Sequence, residues 1–318
     1  MPKRFLSILT CGYILTFYSE QVFWARIRPS DTIVGYIETW LLYSLVGFAF
    51  LIVIEAFKVR SMWALFLCGA VFGWLIEGVI VQTTYESLPL SISFTALAWH
   101  ALLSVWVGWY GIRKAIQSGI GATLKIATGM GLFYGLWAIS WWTEPDQIAV
   151  PPLEFAVFAI ITTLLLIIAY WIYDRNISGF KVGRRTKFVV GGLLLVYFIV
   201  VTLPAAPIAL IVLPVLLLIV YVALRRNKQI EKQESLLTDV GELPPFKNYL
   251  AVLLMPLVAI VIYGVAYAQG LQWHINWIVY LITMPLGFLL LGVSLYKVWR
   301  GQMKVLEGAS DENSGFIA

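Results

Sequence analysis

Residues 33–83 read IVGYIETWLLYSLVGFAFLIVIEAFKVRSMWALFLCGAVFGWLIEGVIVQT. They contain two long apolar runs, 33–56 and 61–83, that are separated only by a short segment carrying Lys58 and Arg60. The hydrocarbon core of a bilayer is about 30 Å thick, and about 20 helical residues are needed to cross it. The stretch therefore predicts two antiparallel transmembrane helices joined by a short basic loop.

Runs of the same kind recur along the whole chain. They fall at 5–25, 33–56, 61–83, 96–115, 119–141, 150–173, 187–204, 206–224, 248–269 and 273–297. Pro204 and Pro207 leave open whether the seventh and eighth runs are separate helices or one broken segment. The pattern predicts an all-α fold, a polytopic integral membrane bundle of about ten transmembrane helices.

The composition supports this fold class. Of 318 residues, 61% are hydrophobic and only 12% are charged, whereas soluble domains carry about 25% charged residues. The net charge of +5 is explained by basic loops on one side of a membrane, so we expect no nucleic-acid partner. The two cysteines, Cys11 and Cys68, lie in apolar runs and are expected to be inert packing residues.

The basic residues predict the orientation. If the N-terminus with Lys3 and Arg4 is inside, all but two of the 22 Lys and Arg residues lie on the cytoplasmic side. Cytoplasmic loops are enriched in Lys and Arg, so both termini are expected to be inside. We expect the protein to be integral to a bacterial or archaeal cytoplasmic membrane.

The domain organisation is simple. Residues 1–300 are predicted to form a single transmembrane domain, with a polar half at about 1–173 and an apolar half at about 187–300. Residues 225–247 are predicted to be a cytoplasmic loop, and the polar tail 301–318 a disordered cytoplasmic segment.

Two small-residue patterns predict close helix packing. Gly69-x-x-x-Gly73 and Gly131-x-x-x-Gly135 would let helices approach closely, since packing drives helix association in lipid. The patterns fit either packing within one bundle or a homodimer face.

Familiar catalytic motifs are missing. The sequence has no His-Glu-x-x-His and no Gly-x-x-x-x-Gly-Lys-Ser/Thr, and its two histidines are His100 and His274. A zincin or a P-loop motor is therefore not expected. No metal ligands are predicted, and no cofactor is indicated.

Ionisable residues inside the first six spans mark a candidate site, because such residues are costly in lipid and usually face a bundle interior. Glu20, Glu38, Glu77, His100 and Glu154 are each predicted to lie roughly 5–10 Å below the outer surface, at the helical rise of about 1.5 Å per residue. We expect Glu77, His100, Glu38 and Glu154 to converge around one cavity that opens to the outer face or outer leaflet.

Glu77 and His100 are the candidate catalytic residues. They are predicted to lie at matching depth on consecutive antiparallel helices. A carboxylate beside an imidazole fixes the imidazole tautomer and raises its basicity, which suits a general acid or base. The alternative is a structural hydrogen bond between two helices.

The candidate substrate-binding residues lie in the same layer and in the outer loops. Arg26 and Arg28 are the only basic residues on the outer side, where they would neutralise carboxylates, bind an anionic headgroup, or simply be interfacial charges. The candidates are Glu20, Arg26, Arg28, Glu38, Thr84, Tyr85, Trp142 and Glu154.

Three functions fit this sequence. The first is a membrane-embedded enzyme that acts on a lipid or lipid-linked, amphipathic small molecule, with membrane lipids as partners. The second is a transporter, because about ten spans in this length, with both ends inside, resembles the architecture of drug/metabolite transporters. Transporter sites tend to lie at the midplane, so the off-centre polar layer favours the enzyme. The third is a non-catalytic subunit associated with other membrane subunits.

Overall fold

The computed structural model describes residues 2–140, 149–230, 235–237, 242–271, 273 and 275–300. In this part of the chain it contains ten helices, in agreement with the all-helical prediction. They are α1 (residues 2–24), α2 (Ile33–Ala56), α3 (Met62–Ile80), α4 (residues 96–118), α5 (Ile120–Ser140), α6 (Pro152–Asn176), α7 (Arg184–Ala205), α8 (Ala209–Ile230), α9 (Phe246–Ala268) and α10 (Ile275–Trp299). Among the described residues, nine helices, α2 to α10, are long and apolar enough to cross a bilayer. The chain is therefore a multi-pass integral membrane protein.

Helix α1 is less apolar than helices α2 to α10. It packs against α2, α4 and α6, and its Cys11, Ile14 and Leu15 side chains are fully buried. The hydroxyls of Thr10 and Thr16 donate to carbonyls one turn earlier in the helix. A helix surrounded by protein can carry polar side chains that would be costly against lipid, and α1 brings several of them into the interior.

The seventh and eighth apolar runs form separate helices. Helix α7 ends at Ala205 and α8 begins at Ala209, and the break lies at Ala206, whose backbone angles, φ −142° and ψ 83°, are not helical. Pro207 explains the break, because proline lacks an N–H donor and disfavours the helical conformation in the residue before it.

Both small-residue patterns pack helices within this one chain. A Cβ atom added at Gly73 would lie 2.2 Å from the carbonyl oxygen of Ala96, and one at Gly69 would lie 3.0 Å from the Cα of Ala101. A Cβ at Gly131 would lie 2.5 Å from the carbonyl oxygen of Met255. The glycines thus bring α3 against α4 and α5 against α9, which supports the first of the two interpretations of these patterns.

The segment between α3 and α4, residues 81–95, folds back into the bundle. The indole N–H of Trp74 donates to the carbonyl of Ile92 at 3.0 Å, and the hydroxyl of Ser93 donates to the carbonyl of Met284 at 2.6 Å. Because Ala96 lies beside Gly73, α4 starts about seven residues below the end of α3, or roughly 10 Å at the helical rise. Non-helical backbone at this depth is tolerated where protein buries it, and Ser93 is fully buried.

Helices α7, α8 and α10 lie at the periphery, and much of their apolar surface is exposed. Helix α8 continues to Ile230, so the predicted loop 225–247 begins as helix. Asn227 is buried there and donates to the carbonyl of Phe57 at 3.1 Å. The tail 301–318 lies outside the described residues.

Candidate functional site

The structure brings Glu77 and His100 into direct contact. His100 Nε2 lies 2.6 Å from Glu77 Oε1, and His100 is 2% exposed and Glu77 8% exposed. The two residues do not lie at equal depth along the bundle. Ala101, the neighbour of His100, packs against Gly69, which lies about two turns below Glu77 on α3. Side chains tilt towards the N-terminus of their helix. Since α3 and α4 are antiparallel, the two side chains point towards each other and close the gap.

The other polar atoms of the pair are also bonded. Ser19 Oγ lies 2.9 Å from His100 Nδ1 and 2.8 Å from Ser104 Oγ. The hydroxyl of Thr83 donates to Glu77 Oε2. An ionised carboxylate only accepts hydrogen bonds, so Nε2 carries a proton and Nδ1 of a neutral ring accepts from Ser19.

Glu20 extends this arrangement towards the end of the bundle that the charge pattern predicts to face outward. The Tyr43 hydroxyl donates to Glu20 Oε1 at 2.6 Å, and the Trp24 indole donates to Oε2 at 3.0 Å. The Tyr43 ring also lies against the His100 ring, with 6.3 Å between the ring centres, so Glu20 and the Glu77–His100 pair meet at this tyrosine. We name Glu20, Tyr43, Ser19, His100, Glu77 and Thr83 the polar cluster.

The polar cluster is built largely on π-helical segments. These segments are Phe17–Gln21 in α1, Ile76–Ile80 in α3 and Ala96–Ile112 in α4. They carry Ser19 and Glu20, Glu77, and His100 respectively. Short π-helical insertions are rare and frequently occur at functional sites. These segments could not be predicted from the sequence, because a change from i→i−4 to i→i−5 hydrogen bonding does not alter the composition.

A partly open cavity of about 230 Å³ adjoins the polar cluster at this end. Glu20, Arg26 and Arg28, three of the candidate substrate-binding residues, line it, and so do Gln21 and Trp24 of α1. Residues of α2 and the preceding loop complete the wall, namely Ser30, Asp31, Thr32, Gly35, Tyr36 and Thr39, with Phe158 of α6. Among the charged members of the polar cluster, Glu20 is the one that reaches this cavity.

Arg28 and Asp31 form an ion pair in the cavity wall. Arg28 Nη2 lies 2.8 Å from Asp31 Oδ1, the Tyr36 hydroxyl donates to Oδ2 at 2.8 Å, and the guanidinium lies 4.3 Å from the centre of the Trp24 ring. Partial desolvation raises the pKa of the Asp31 carboxyl, but the hydrogen bonds from Arg28 and Tyr36 outweigh it and hold the pKa below its ordinary value. Asp31 is therefore charged at neutral pH and already neutralises Arg28.

The expected convergence is wrong for Glu38 and Glu154, which are both exposed. On α2, Tyr36 and Tyr43 are seven residues apart and share the inward face, while Glu38 lies about half a turn away from them. On α6, Phe155 and Phe158 are buried, and Glu154 points outward beside the exposed Leu153.

Thr84 and Tyr85 lie near the site without lining the cavity. Thr84 is fully buried, and the Tyr85 hydroxyl donates to the carbonyl of Gly78 at 2.7 Å. Burial raises the pKa of Tyr85 to about 12, so this donor keeps its proton at neutral pH. Trp142 lies outside the described residues.

A second buried ionic cluster was not anticipated. Arg113 Nη2 lies 2.7 Å from Asp174 Oδ1, and the Tyr249 hydroxyl donates to Asp174 Oδ2 at 2.9 Å. The guanidinium lies 4.5 Å from the centre of the Tyr173 ring. These contacts join α4, α6 and α9 at the opposite end of the bundle. The predicted sixth span ends at residue 173, one residue before Asp174, whereas the helix continues to Asn176.

Metal binding finds no support in the described part of the chain, where no three His, Cys, Asp or Glu side chains come together as a ligand set. No family model, no curated protein and no solved structure matches this chain.

Proposed function

We propose that the protein is a membrane-embedded enzyme that transfers a proton to or from a lipid or lipid-linked substrate at the predicted outer leaflet. The observation that carries this proposal is the buried contact between Glu77 and His100, which only the Tyr43 ring separates from Glu20 at the cavity wall. A purely structural pair between two helices would need no cavity-lining carboxyl group beside it.

Glu20 and the Glu77–His100 pair have different roles in the proposed proton transfer. Glu20 lines the cavity and is the group positioned to exchange a proton with a bound substrate. Glu77 and His100 lie behind it and can hold a proton between the carboxylate and the ring, with little movement of heavy atoms. A general acid or base placed in this way contributes typically 10²- to 10⁴-fold to a reaction rate.

The position of the cavity favours a lipid substrate. It lies at one end of the bundle, where the headgroups of a leaflet would be, and its wall combines charged groups with Trp24, Tyr36 and Phe158. Ligand sites typically combine aromatic walls with a few placed polar groups. An amphipathic molecule can place its polar end there while its chain stays in the bilayer.

The proposal is tested by lipid analysis of a strain from which the gene has been deleted. Complementation with the wild-type gene should remove one lipid species and form another, as measured by mass spectrometry of the total lipid extract. Glu77→Gln and Glu20→Gln keep the side-chain shape and should each abolish this conversion at unchanged yield of monodisperse protein. The matched control is Glu38→Gln, which alters an exposed carboxylate and should complement fully. Full conversion by Glu77→Gln would overturn the proposal.

A transporter remains the second candidate, because polar groups follow one face of α4 through the bundle. His100, Ser104, Trp109 and Arg113 are four or five residues apart, which places them on one face of a π-helix. Between the two ionic clusters, Tyr170 donates to the carbonyl of Gly108 at 2.7 Å, and its oxygen lies 3.0 Å from the Tyr18 hydroxyl, which can donate to it.

The enzyme and the transporter can be distinguished in proteoliposomes that contain a pH-sensitive dye, which reports proton flux across the membrane. A proton-coupled transporter predicts proton flux that both Glu77→Gln and Arg113→Gln abolish. The enzyme predicts no flux and a lipid conversion that needs Glu77. Flux without lipid conversion would favour the transporter.

A further inference from the structure

The cavity at the predicted outer end contains a buried amide group with unused hydrogen-bonding capacity. Gln21 lines the cavity and is 6% exposed, and its side-chain oxygen has no hydrogen-bond partner in the described part of the chain. Buried polar side chains are nearly always paired, and an unpaired group costs about 1–3 kcal/mol. A ligand hydroxyl both donates and accepts, so it can pair with either end of this amide when the side chain turns towards the cavity.

The charges around the cavity favour a neutral ligand. Two carboxyl groups, Glu20 and Asp31, and two guanidinium groups, Arg26 and Arg28, line it. Arg28 directs both Nε and Nη2 at Asp31 Oδ1, at 2.9 and 2.8 Å. Asp31 therefore already neutralises one of the two positive groups that an anionic headgroup would need.

The size of the cavity limits what it can hold. Its volume is about 230 Å³, below the roughly 300–1,000 Å³ typical of sites that enclose a whole drug-sized ligand. It can therefore accept the polar end of an amphipathic molecule but not its chain. On the lipid side of α2, Ile33 and Ile37 are exposed and offer apolar surface for that chain.

We infer that this cavity is a subsite for a neutral, hydroxyl-bearing headgroup, with Gln21 as the residue that recognises it. The inference rests on the proposed function for the amphipathic nature of the ligand. It differs from the anionic headgroup, which is one of the three roles that the sequence allows for the outer arginines.

The test compares two probes with the same eight-carbon tail, octyl glucoside and octyl phosphate, below their micellar concentrations. The protein is held in phosphatidylcholine nanodiscs, and its thermal unfolding midpoint is followed. A ligand that binds the folded state raises the midpoint in a saturable way. We expect octyl glucoside to do so at lower concentration than octyl phosphate. Equal effects of the two probes, or no effect of octyl glucoside, would overturn the inference.

Gln21→Leu separates recognition from folding. It should weaken octyl glucoside binding roughly fivefold or more, the loss expected for one neutral hydrogen bond. Without ligand its unfolding midpoint should equal or exceed that of the wild type, because an unpaired amide has been removed. A lower midpoint would mean that the amide is paired in the free protein, which contradicts the inference.

Asp31→Asn tests the charge balance, since it releases Arg28 and should shift the preference towards octyl phosphate. An unchanged preference would refute the argument from charge. Binding is measured here without turnover, so a failure of the lipid conversion and a failure of headgroup recognition are separate outcomes.

Discussion

Two neighbouring threonines show how single hydroxyl groups differ at this site. The Thr83 hydroxyl donates to the buried carboxylate of Glu77, while the buried Thr84 hydroxyl has no hydrogen-bond partner among the described residues. Hydrogen bonds to charged groups contribute about 1.5–3 kcal/mol. Removal of a buried hydroxyl that makes no bond is close to neutral or stabilising.

At the residue scale we therefore predict opposite results for two substitutions of nearly equal shape. Thr83→Val should lower the free energy of unfolding by about 1.5–3 kcal/mol, because one Glu77 oxygen loses its donor. Thr84→Val should leave stability unchanged or raise it. Thermal unfolding in nanodiscs measures both, and the lipid conversion should fall only for Thr83→Val. A larger stability loss for Thr84→Val than for Thr83→Val would show that the Thr83 hydroxyl is not the one that holds the Glu77 carboxylate.

The residue scale also shows where sequence reasoning reached its limit. It identified Glu77 and His100 correctly as a pair, although the argument from equal depth was wrong, because the re-entrant 81–95 segment starts α4 lower in the bundle. It could not separate Glu20, which faces inward, from Glu38, which is exposed. Both are single carboxylates in apolar runs, and only the rotation of each helix about its axis distinguishes them.

At the element scale, α5 provides a matched pair of glycines only two residues apart. A Cβ atom at Gly131 would lie 2.5 Å from the carbonyl oxygen of Met255 on α9, whereas one at Gly129 meets nothing within 4 Å. Gly131→Ala must push the two helices apart, and overpacking of this kind costs about 1–3 kcal/mol. Gly129→Ala adds helix propensity worth roughly 0.5–1 kcal/mol.

We therefore expect Gly131→Ala to lower the thermal unfolding midpoint and Gly129→Ala to leave it equal or raise it. Equal effects of the two would argue against close contact between α5 and α9. The spacing of the glycines predicted tight packing but not the partner helix. The partner could not be read from the sequence because small residues mark only one side of each contact.

At the scale of the whole molecule, hydropathy predicted the helices well and the interior poorly. The predicted and observed bounds of α2 coincide, since apolar length decides them. Helix α1 is the least apolar, yet it supplies Ser19, Glu20 and Gln21 to the site. The Arg113–Asp174 contact was not predicted, because the predicted sixth span ends at residue 173, whereas α6 continues three residues further and includes Asp174. Burial depends on which helices are neighbours, and a single sequence does not state that.

The orientation in the membrane remains a prediction from the basic residues, and it decides which leaflet the cavity faces. The two native cysteines, Cys11 and Cys68, are fully buried and should not react with an impermeant maleimide. Ser87 and Gly183 are exposed at opposite ends of the bundle, whereas Ser235 is only 8% exposed and is a poor labelling position. If basic loops face the cytoplasm, Ser87→Cys should be labelled only on intact cells and Gly183→Cys only in inverted vesicles. Labelling of both from the same face would refute the topology. The reverse pattern would place the cavity in the cytoplasmic leaflet, so the substrate would have to be sought among lipids of that leaflet. The contacts within the polar cluster do not depend on the orientation.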